Sequence, residues 1–334
     1  MDRRTMLGLG ALTLAGLAAQ ARGEKMNAEG MLSTDSTEIV PLWPGTPPGG
    51  GVHLNAKITE RSNDTDAYHD RFVTDIDTPL LTVFRPTRPD GSALVLAPGG
   101  GYVRIVIDKE GIEAARRLNA SGVTVFMLRY RLPAEGWTGG HDVPLQDAQR
   151  AVRLVRAGAE KYGIDPHRLG VMGFSAGGHV AASLATRPRD AVYQQVDDVD
   201  LEDARPDFAA LMYPVITMGE GAHPGSRDHL LGSNPTAEEI AKYSCERHAT
   251  QDTPPTWLCL ADDDDTVPPV ENGMAMFAAL RAANVPAEMH VFQQGGHGFG
   301  IRLASGKPAS AWPGLFLHWG YSNGWLRDPS AAPG

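Results

Sequence analysis

The sequence predicts an α/β fold in which one mostly parallel, doubly wound sheet forms a single domain. Three observations support this prediction. Strand-like and helix-like segments alternate through most of the chain, which is typical of right-handed βαβ units. Several strand-like segments are apolar throughout, as expected of strands buried on both faces. The 334 residues, 42% of them hydrophobic, are also enough to bury a large core.

The predicted elements follow from hydrophobic periodicity and from the Gly and Pro residues that interrupt it. Strands are expected at residues 56–62, 80–84, 93–97, 123–130, 169–172, 208–212, 256–260 and 287–292. Helices are expected at residues 111–119, 144–162, 237–241, 270–283 and 312–325. The segment 216–254 should otherwise consist mainly of loops.

The N-terminus has the pattern of an export signal. Twin arginines, Arg3 and Arg4, precede the apolar stretch 7–19, and Ala-Gln-Ala at 19–21 is a small-residue cleavage site. Residues 1–21 are therefore predicted to be a twin-arginine signal, which implies a periplasmic or secreted protein. An uncleaved membrane tether is the alternative.

The next segment, residues 22–50, is polar and then rich in Pro and Gly. Such a composition buries little surface, so we expect an extended leader over the fold. The folded domain would then occupy residues 51–330.

Composition excludes several classes of partner. The formal charge is −10 and the sequence has no run of Lys or Arg, which argues against a nucleic acid or an anionic membrane as partner.

Cys245 and Cys259 are too few for a disulfide framework. Two buried thiols are expected, with a disulfide between them as the alternative.

Residues 173–177 fit G-x-S-x-G, the nucleophile elbow, in which Ser175 occupies a strained turn between a strand and a helix. This spacing also arises by chance in a glycine-rich chain, so the surrounding sequence must show whether Ser175 is a nucleophile. A serine nucleophile needs a base, an acid that orients the base, and donors for the oxyanion.

The base is predicted to be His297, because it follows the last strand and glycines flank it. His179 is too close to Ser175 in sequence to align on its Oγ, and it is predicted to be a packing residue or to support residues of the site from behind. Three more histidines lie in segments that could border a pocket: His141, His223 and His229.

The orienting acid should follow the penultimate strand, where four aspartates occupy positions 262–265. A calcium loop is not completed, because Thr266 and Gly273 stand at the fifth and twelfth ligand positions of an EF-hand. Asp264 and Asp263 are the candidates. The resulting order, Ser then Asp then His, is that of the α/β-hydrolase fold.

The oxyanion donors are expected to be the amide of Ala176 and one from the glycine loop at 98–102, at Gly100 or Gly101. That loop lacks the Gly-Lys-Ser/Thr of a phosphate-binding loop and the spacing of a dinucleotide fingerprint. The sequence therefore predicts no cofactor, and it predicts no metal.

Six motifs follow one another along the chain: Pro-Gly-Gly-Gly-Tyr at 98–102, Tyr-Arg-Leu at 130–132, Asp-Ala-Gln-Arg-Ala at 147–151, the elbow at 173–179, Asp-Asp-Thr-Val-Pro at 264–268 and Gly-Gly-His-Gly-Phe-Gly at 295–300. Taken in this order, they resemble the esterase branch of the α/β-hydrolases over residues 40–325. Within that branch the chain is similar to bacterial xylan acetylesterases and their feruloyl-esterase-like relatives.

The resemblance implies that the Asp of D-x-x-V-P, here Asp264, is the acid. It also implies a serine esterase that deacetylates xylan or xylo-oligosaccharides, without a cofactor. Alternatives are another carbohydrate, short-chain or feruloyl esterase, a prolyl-oligopeptidase-like peptidase, or a catalytically silent carbohydrate-binding protein on the same fold.

A neutral sugar needs no basic pocket. Substrate-binding walls are expected from Tyr102, Trp137 and His141, together with Tyr213 and the segment 218–234.

Overall fold

The computed structural model describes residues 38–50, 52–65 and 67–328. The strands of these residues are β1 (Ile39–Pro41), β2 (Lys57–Glu60), β3 (Arg71–Thr74), β4 (Leu80–Phe84), β5 (Ala93–Ala97), β6 (Ile105–Val106), β7 (Thr124–Arg129), β8 (Leu169–Phe174), β9 (Phe208–Met212), β10 (Thr256–Ala261) and β11 (Ala287–Phe292).

An eight-stranded sheet forms the centre, in the order β1-β4-β7-β5-β8-β9-β10-β11. Neighbouring strands from β7 to β11 pair in parallel, whereas β4 is antiparallel to β7 and β1 is antiparallel to β4. Every residue of β5, β7, β8, β9 and β10 is buried. The predicted single α/β domain with a mostly parallel sheet is confirmed.

The helices of the described residues are α1 (Glu113–Asn119), α2 (Val143–Ala157), α3 (Ala159–Tyr162), α4 (Ala176–Thr186), α5 (Pro224–Leu231), α6 (Ala237–Tyr243), α7 (Ala275–Ala282) and α8 (Trp312–Ser322). Wider π-helical turns, Asp108–Ile112 and Val270–Met274, precede α1 and α7. Helix α4 packs on β8 and β9, and α2 packs on α4. None of these described helices is long and apolar enough to cross a membrane.

A second, three-stranded antiparallel sheet, β2-β3-β6, was not predicted. Strands β3 and β6 are four and two residues long, too short to show a periodic pattern in the sequence. Helix α5 was also missed, because its Pro-Gly-Ser start is typical of a loop.

The prediction of a surface leader over 22–50 is wrong for its last part. Strand β1 pairs with β4 and so belongs to the central sheet, and the next two residues, Leu42 and Trp43, are buried. Burial of these two apolar side chains stabilises the segment, although its Pro/Gly-rich composition suggested that it would bury little surface. The predicted signal at 1–21 and the first part of the leader, 22–37, lie outside the described residues.

The parallel sheet brings the functional loops together. Four loops, at 98–102, 175, 262–267 and 293–300, follow β5, β8, β10 and β11 in turn. The carboxyl ends of parallel strands share one edge of the sheet, so side chains far apart in sequence meet there.

Candidate active site

Ser175 occupies the turn between β8 and α4 with φ 53° and ψ −120°, a backbone conformation that few non-glycine residues adopt. Its amide donates to the carbonyl of Met212 at 3.0 Å, and its carbonyl accepts from the amides of Val215 and His179 at 3.0 and 3.2 Å. These hydrogen bonds hold the strained turn in place, which is a feature of functional sites.

The glycines of the elbow are needed because backbone segments pass very close to them. A Cβ at Gly173 would lie 2.1 Å from the carbonyl oxygen of Gly177, and one at Gly177 would lie 2.2 Å from the carbonyl oxygen of Ala97. The elbow therefore packs directly against the end of β5, beside the glycine loop.

The three residues predicted to act together form one hydrogen-bonded chain. Ser175 Oγ lies 2.8 Å from His297 Nε2, and His297 Nδ1 lies 2.7 Å from Asp264 Oδ2. The other oxygen of Asp264 accepts the amides of Thr266 and Val267, each at 2.9 Å. Because Asp264 is buried and held at both oxygens, it fixes the imidazole ring with Nε2 facing the serine.

Asp263 has a different set of partners from its neighbour. Its Oδ1 accepts the amides of Gly295 and Gly296 at 2.8 and 2.7 Å, just before His297. The bond from Gly296 is the main cause that lowers the pKa of Asp263 below its ordinary value. Asp264 is thus the carboxylate that contacts His297, while Asp263 holds the loop that carries it.

The glycine loop presents backbone amides to the same place. Gly100 and Gly101 have φ values of 138° and 66° and line the pocket that contains Ser175 and His297. Within the described ranges, neither amide donates a hydrogen bond. Ala176 begins α4, so its amide has no acceptor within the helix. Gly100 and Gly101 therefore line the same pocket as Ser175, and the amide of Ala176 directly follows the serine.

Sequence reasoning missed Glu110, a buried carboxylate beneath the glycine loop. Its Oε2 accepts the amide of Gly99 at 2.9 Å, and its Oε1 accepts the hydroxyl of Tyr213 at 3.1 Å. That hydroxyl in turn accepts the amide of Gly300 at 3.1 Å. Burial raises the pKa of Tyr213 well above its ordinary value, so the hydroxyl stays protonated. One network thus joins the glycine loop to the loop of His297.

The predicted role of Tyr102 in substrate binding is not supported. Although it follows the glycine loop, its side chain is only 1% exposed and its hydroxyl lies 2.6 Å from His179 Nδ1. His179 Nε2 lies 2.7 Å from the carbonyl oxygen of Tyr243, so Nε2 carries the proton and Nδ1 accepts. Burial lowers the pKa of His179 to about 4. His179 is the packing residue that was predicted.

Trp137, His141 and Tyr213 also lie outside the pocket of Ser175. Trp137 is buried, with the guanidinium of Arg131 5.0 Å from its ring centre. His141 Nδ1 hydrogen-bonds the carbonyl oxygen of Leu230 and so fastens the end of α5. These side chains pack or form hydrogen bonds within the fold instead of lining the pocket, and their residue types alone do not reveal this.

The pocket at Ser175 has a volume of about 270 Å³. The predicted wall segment 218–234 contributes His223, Gly225 and His229, from α5 and the residue before it. Burial and then the nearby His297 lower the pKa of His223. The other wall carries Arg61, Arg104 and Lys109, which sequence reasoning missed because they are separated along the chain.

The remaining sequence predictions concern thiols and metals. Cys245 and Cys259 are both free and buried, as expected. Burial raises the pKa of Cys245 to about 12, so it is not a reactive thiolate at neutral pH. In the described residues, no cluster of three or more His, Cys, Asp or Glu side chains is arranged to hold a metal ion.

Fold and site together define the class of protein. A strained serine after a central parallel strand, an oxyanion-type glycine loop and a late histidine are the arrangement of an α/β hydrolase. The family model for the alpha/beta hydrolase fold matches residues 94–301, and the chain belongs to this family.

Two curated relatives and one solved structure are similar to this chain. It is 38% identical over 221 residues to "Endo-1,4-beta-xylanase B" of Butyrivibrio fibrisolvens, covering 66% of this chain and 34% of that protein. It is 34% identical over 225 residues to "Acetylxylan esterase" of Xylanibacter ruminicola, covering 66% of this chain and 44% of that protein. The chain thus spans less than half the length of either relative.

The solved structure is an "acetyl ester-xyloside bifunctional hydrolase" from Caldicellulosiruptor lactoaceticus. It shares 31% sequence identity with this chain and superposes with a TM-score of 0.71. The alignment covers 87% of this chain and 98% of that one.

Proposed function

We propose that the protein is a serine esterase that removes acetyl groups from xylan or xylo-oligosaccharides. The observation that carries this proposal is the hydrogen-bonded chain from Ser175 Oγ through His297 to Asp264, beside unpaired amides. Two similar proteins whose names refer to acetyl ester hydrolysis support the choice of acyl group and glycan.

In the first half-reaction, Ser175 Oγ attacks the carbonyl carbon of the acetyl ester while His297 Nε2 takes the hydroxyl proton. Asp264 accepts the Nδ1 proton in a hydrogen bond and stabilises the imidazolium. The carbonyl oxygen becomes an oxyanion that the amides of Ala176 and of Gly100 or Gly101 bind. The intermediate then collapses, and the sugar leaves as an alcohol after it receives the proton from His297.

In the second half-reaction, water attacks the acetyl-serine while His297 Nε2 takes one of its protons. The same amides hold the second oxyanion. Collapse releases acetic acid and returns the proton to Ser175 Oγ, so the enzyme regains its starting state.

The nucleophile assignment is tested with Ser175→Ala. We expect kcat on p-nitrophenyl acetate to fall by about 10⁴-fold or more, with loss of fluorophosphonate labelling, because the alanine has no Oγ to acylate. Wild-type turnover by the variant would rule out Ser175. Acetate release from acetylated xylo-oligosaccharides, compared with feruloyl esters, short alkyl esters and a proline-containing peptide, then separates the proposed activity from its alternatives.

We also propose that residues 1–21 direct export through the twin-arginine route, to a periplasm or beyond the cell. The Arg3-Arg4 pair and the small residues at 19–21 support this, and a polymeric xylan substrate is itself extracellular. Arg3→Lys combined with Arg4→Lys should keep the protein inside the cell. Undiminished export of the double variant would contradict the proposal. The acidic charge supports a glycan ester rather than a nucleic acid as partner.

A further inference from the structure

Three cationic side chains line the pocket of Ser175 in a protein whose formal charge is −10. They are Arg61, Arg104 and Lys109. A neutral acetylated sugar needs none of them for its ester chemistry, so their presence requires another explanation.

The small sheet holds the two arginines side by side. Arg61 follows β2, Arg104 precedes β6, and Phe72 lies on β3 between those strands. Each guanidinium carbon is 5.3 Å from the centre of the Phe72 ring. Two like charges are thereby brought against one aromatic ring, which is unfavourable unless an anion joins them.

Two acidic residues nearby, Asp70 and Glu110, offset this charge only in part. Asp70 pairs with Arg61 at 2.9 Å, but it also pairs with Arg302 at 3.0 Å. In the part of the chain that the structure describes, no carboxylate forms an ion pair with Arg104 or Lys109. The Nε of Arg104 is buried and has no hydrogen-bond acceptor, and such an unmet donor is rare in a folded protein.

Burial, followed by the charge of Arg61, lowers the pKa of Arg104 from its ordinary value. A guanidinium still carries its charge at neutral pH. The charge of Glu110, which also lines the pocket, favours the guanidinium form of Arg104. The oxygens of that carboxylate accept from Gly99 and Tyr213, and the Nε of Arg104 remains without an acceptor.

Arg104 and Lys109 line the same pocket as Ser175 and His297. The amide of Arg104 donates to the carbonyl of Gly100 at 3.3 Å, and a Cβ at Gly100 would lie 3.0 Å from Arg104 Cγ. On the other side, a Cβ at Gly298 would lie 3.0 Å from Lys109 Nζ, next to His297. A group held by both cations would therefore lie in the pocket that contains Ser175.

We propose that Arg104 and Lys109, supported by Arg61, form a carboxylate subsite, and that the preferred ester is an acetylated glycan that carries a uronic acid. This inference rests on the proposed function and adds the charge of the glycan to it. A guanidinium matches a carboxylate with two parallel hydrogen bonds, and an ammonium adds a point charge.

The test compares two acetylated xylo-oligosaccharides of equal length, one bearing a glucuronic acid branch and one neutral. The measured quantity is the ratio of their kcat/KM values. We expect wild type to favour the acidic ester about tenfold or more, and added salt to reduce the ratio. Arg104→Gln and Lys109→Gln should each lower the ratio severalfold, while Arg104→Lys should have an intermediate effect because it keeps the charge.

Arg189→Gln is the matched control, because Arg189 is exposed and lies outside the pocket. It should leave the ratio at its wild-type value. Circular dichroism of each variant checks folding, and either pocket variant alone suffices for the test. A wild-type ratio near one, or a ratio that neither pocket variant changes, would overturn the inference while the proposed esterase function stands. Failure of wild type to release acetate from either glycan would instead contradict the proposed function.

Discussion

Asp264 contacts the ring of His297, whereas Asp263 contacts the backbone of the loop that carries His297. We therefore expect substitutions of the two carboxylates to affect catalysis differently. Asp264 accepts the Nδ1 proton of His297, so Asp264→Asn would present an amide that favours the wrong tautomer. We expect kcat on p-nitrophenyl acetate to fall about 10³- to 10⁴-fold. Steady-state kinetics with circular dichroism of the variant provides the measurement.

Asp263→Asn is the matched control for that experiment. Its Oδ1 accepts the amides of Gly295 and Gly296 in the loop of His297, so its carboxylate positions the base without a hydrogen bond to the imidazole. A loss of at most about tenfold is expected, on the scale of one weakened charge-assisted hydrogen bond. A larger loss for Asp263→Asn than for Asp264→Asn would reverse the two assignments.

Glu110 is expected to position the oxyanion donors. Its carboxylate joins the amide of Gly99 to the hydroxyl of Tyr213, and Glu110→Gln would replace one accepting oxygen by a donor. We predict that kcat falls about tenfold while KM changes little, because the displaced amides act on the transition state. Kinetics on a neutral ester measures both constants.

A control for this prediction lies three residues further on. Glu113 forms an ion pair with Arg302 and does not line the pocket. Glu113→Gln should therefore keep kcat near its wild-type value. Equal losses of kcat in the two variants would indicate a general structural defect rather than a role at the oxyanion.

At the scale of single residues, the sequence predicts those site residues that lie within a short, recognisable motif. Ser175 has its elbow, His297 its glycine-rich loop, and Asp264 its place in D-x-x-V-P. Glu110 has no such pattern, because its role depends on Tyr213, about a hundred residues away, which only the fold brings close. Tyr102 illustrates the converse, since its place beside the glycine loop suggested a pocket wall although its hydroxyl points to His179.

Among the elements, α4 carries a buried histidine that makes stability depend on pH. The pKa of His179 is about 4 in the folded protein, mainly because of burial, against about 6.5 in the unfolded chain. Below pH 6.5 the unfolded chain takes up a proton that the folded protein does not, so stability falls from pH 6.5 towards pH 4. This site contributes at most about 3 kcal/mol to the loss.

We therefore predict that His179→Gln flattens this dependence. Glutamine can accept from Tyr102 and donate to the carbonyl of Tyr243, but it does not titrate. Urea denaturation at pH 7, 5.5 and 4.5 measures the free energy of unfolding. His318→Gln, on the exposed surface of α8, should leave the pH dependence as in wild type. A wild-type slope retained by His179→Gln would contradict the prediction.

Element prediction succeeds where burial on both faces dictates composition, as in β5 and β8. It fails where an element is short or where tertiary contacts stabilise it. Helix α5 is capped by the ring of His223, which accepts the amide of Ser226, and the C-terminal end of α5 is fastened by His141. The pocket wall that carries Arg61 and Arg104 was missed because these residues are separated along the chain and come together only where β2, β3 and β6 pair.

At the scale of the whole molecule, a buried ion pair joins the N-terminal segment to the hydrolase core. The side chains of Arg131 and Asp147 are completely buried, and Arg131 Nη2 lies 2.8 Å from Asp147 Oδ1. Asp147 also accepts the indole N–H of Trp43 at 2.9 Å, and Arg131 donates to the carbonyl of Pro48 at 2.6 Å. The Pro/Gly-rich stretch is thereby ordered by partners about a hundred residues away, which its own composition does not predict.

Asp147→Asn should consequently destabilise the protein and release that segment. Loss of one charge from a buried pair leaves the guanidinium of Arg131 uncompensated, which costs about 3–5 kcal/mol. We expect the free energy of unfolding to fall by that amount and limited proteolysis within residues 44–50 to accelerate. Asp198→Asn, at an exposed carboxylate, should leave both quantities unchanged. If Asp147→Asn were as stable and as protease-resistant as Asp198→Asn, the segment would have to be held by β1 and the burial of Leu42 and Trp43 alone.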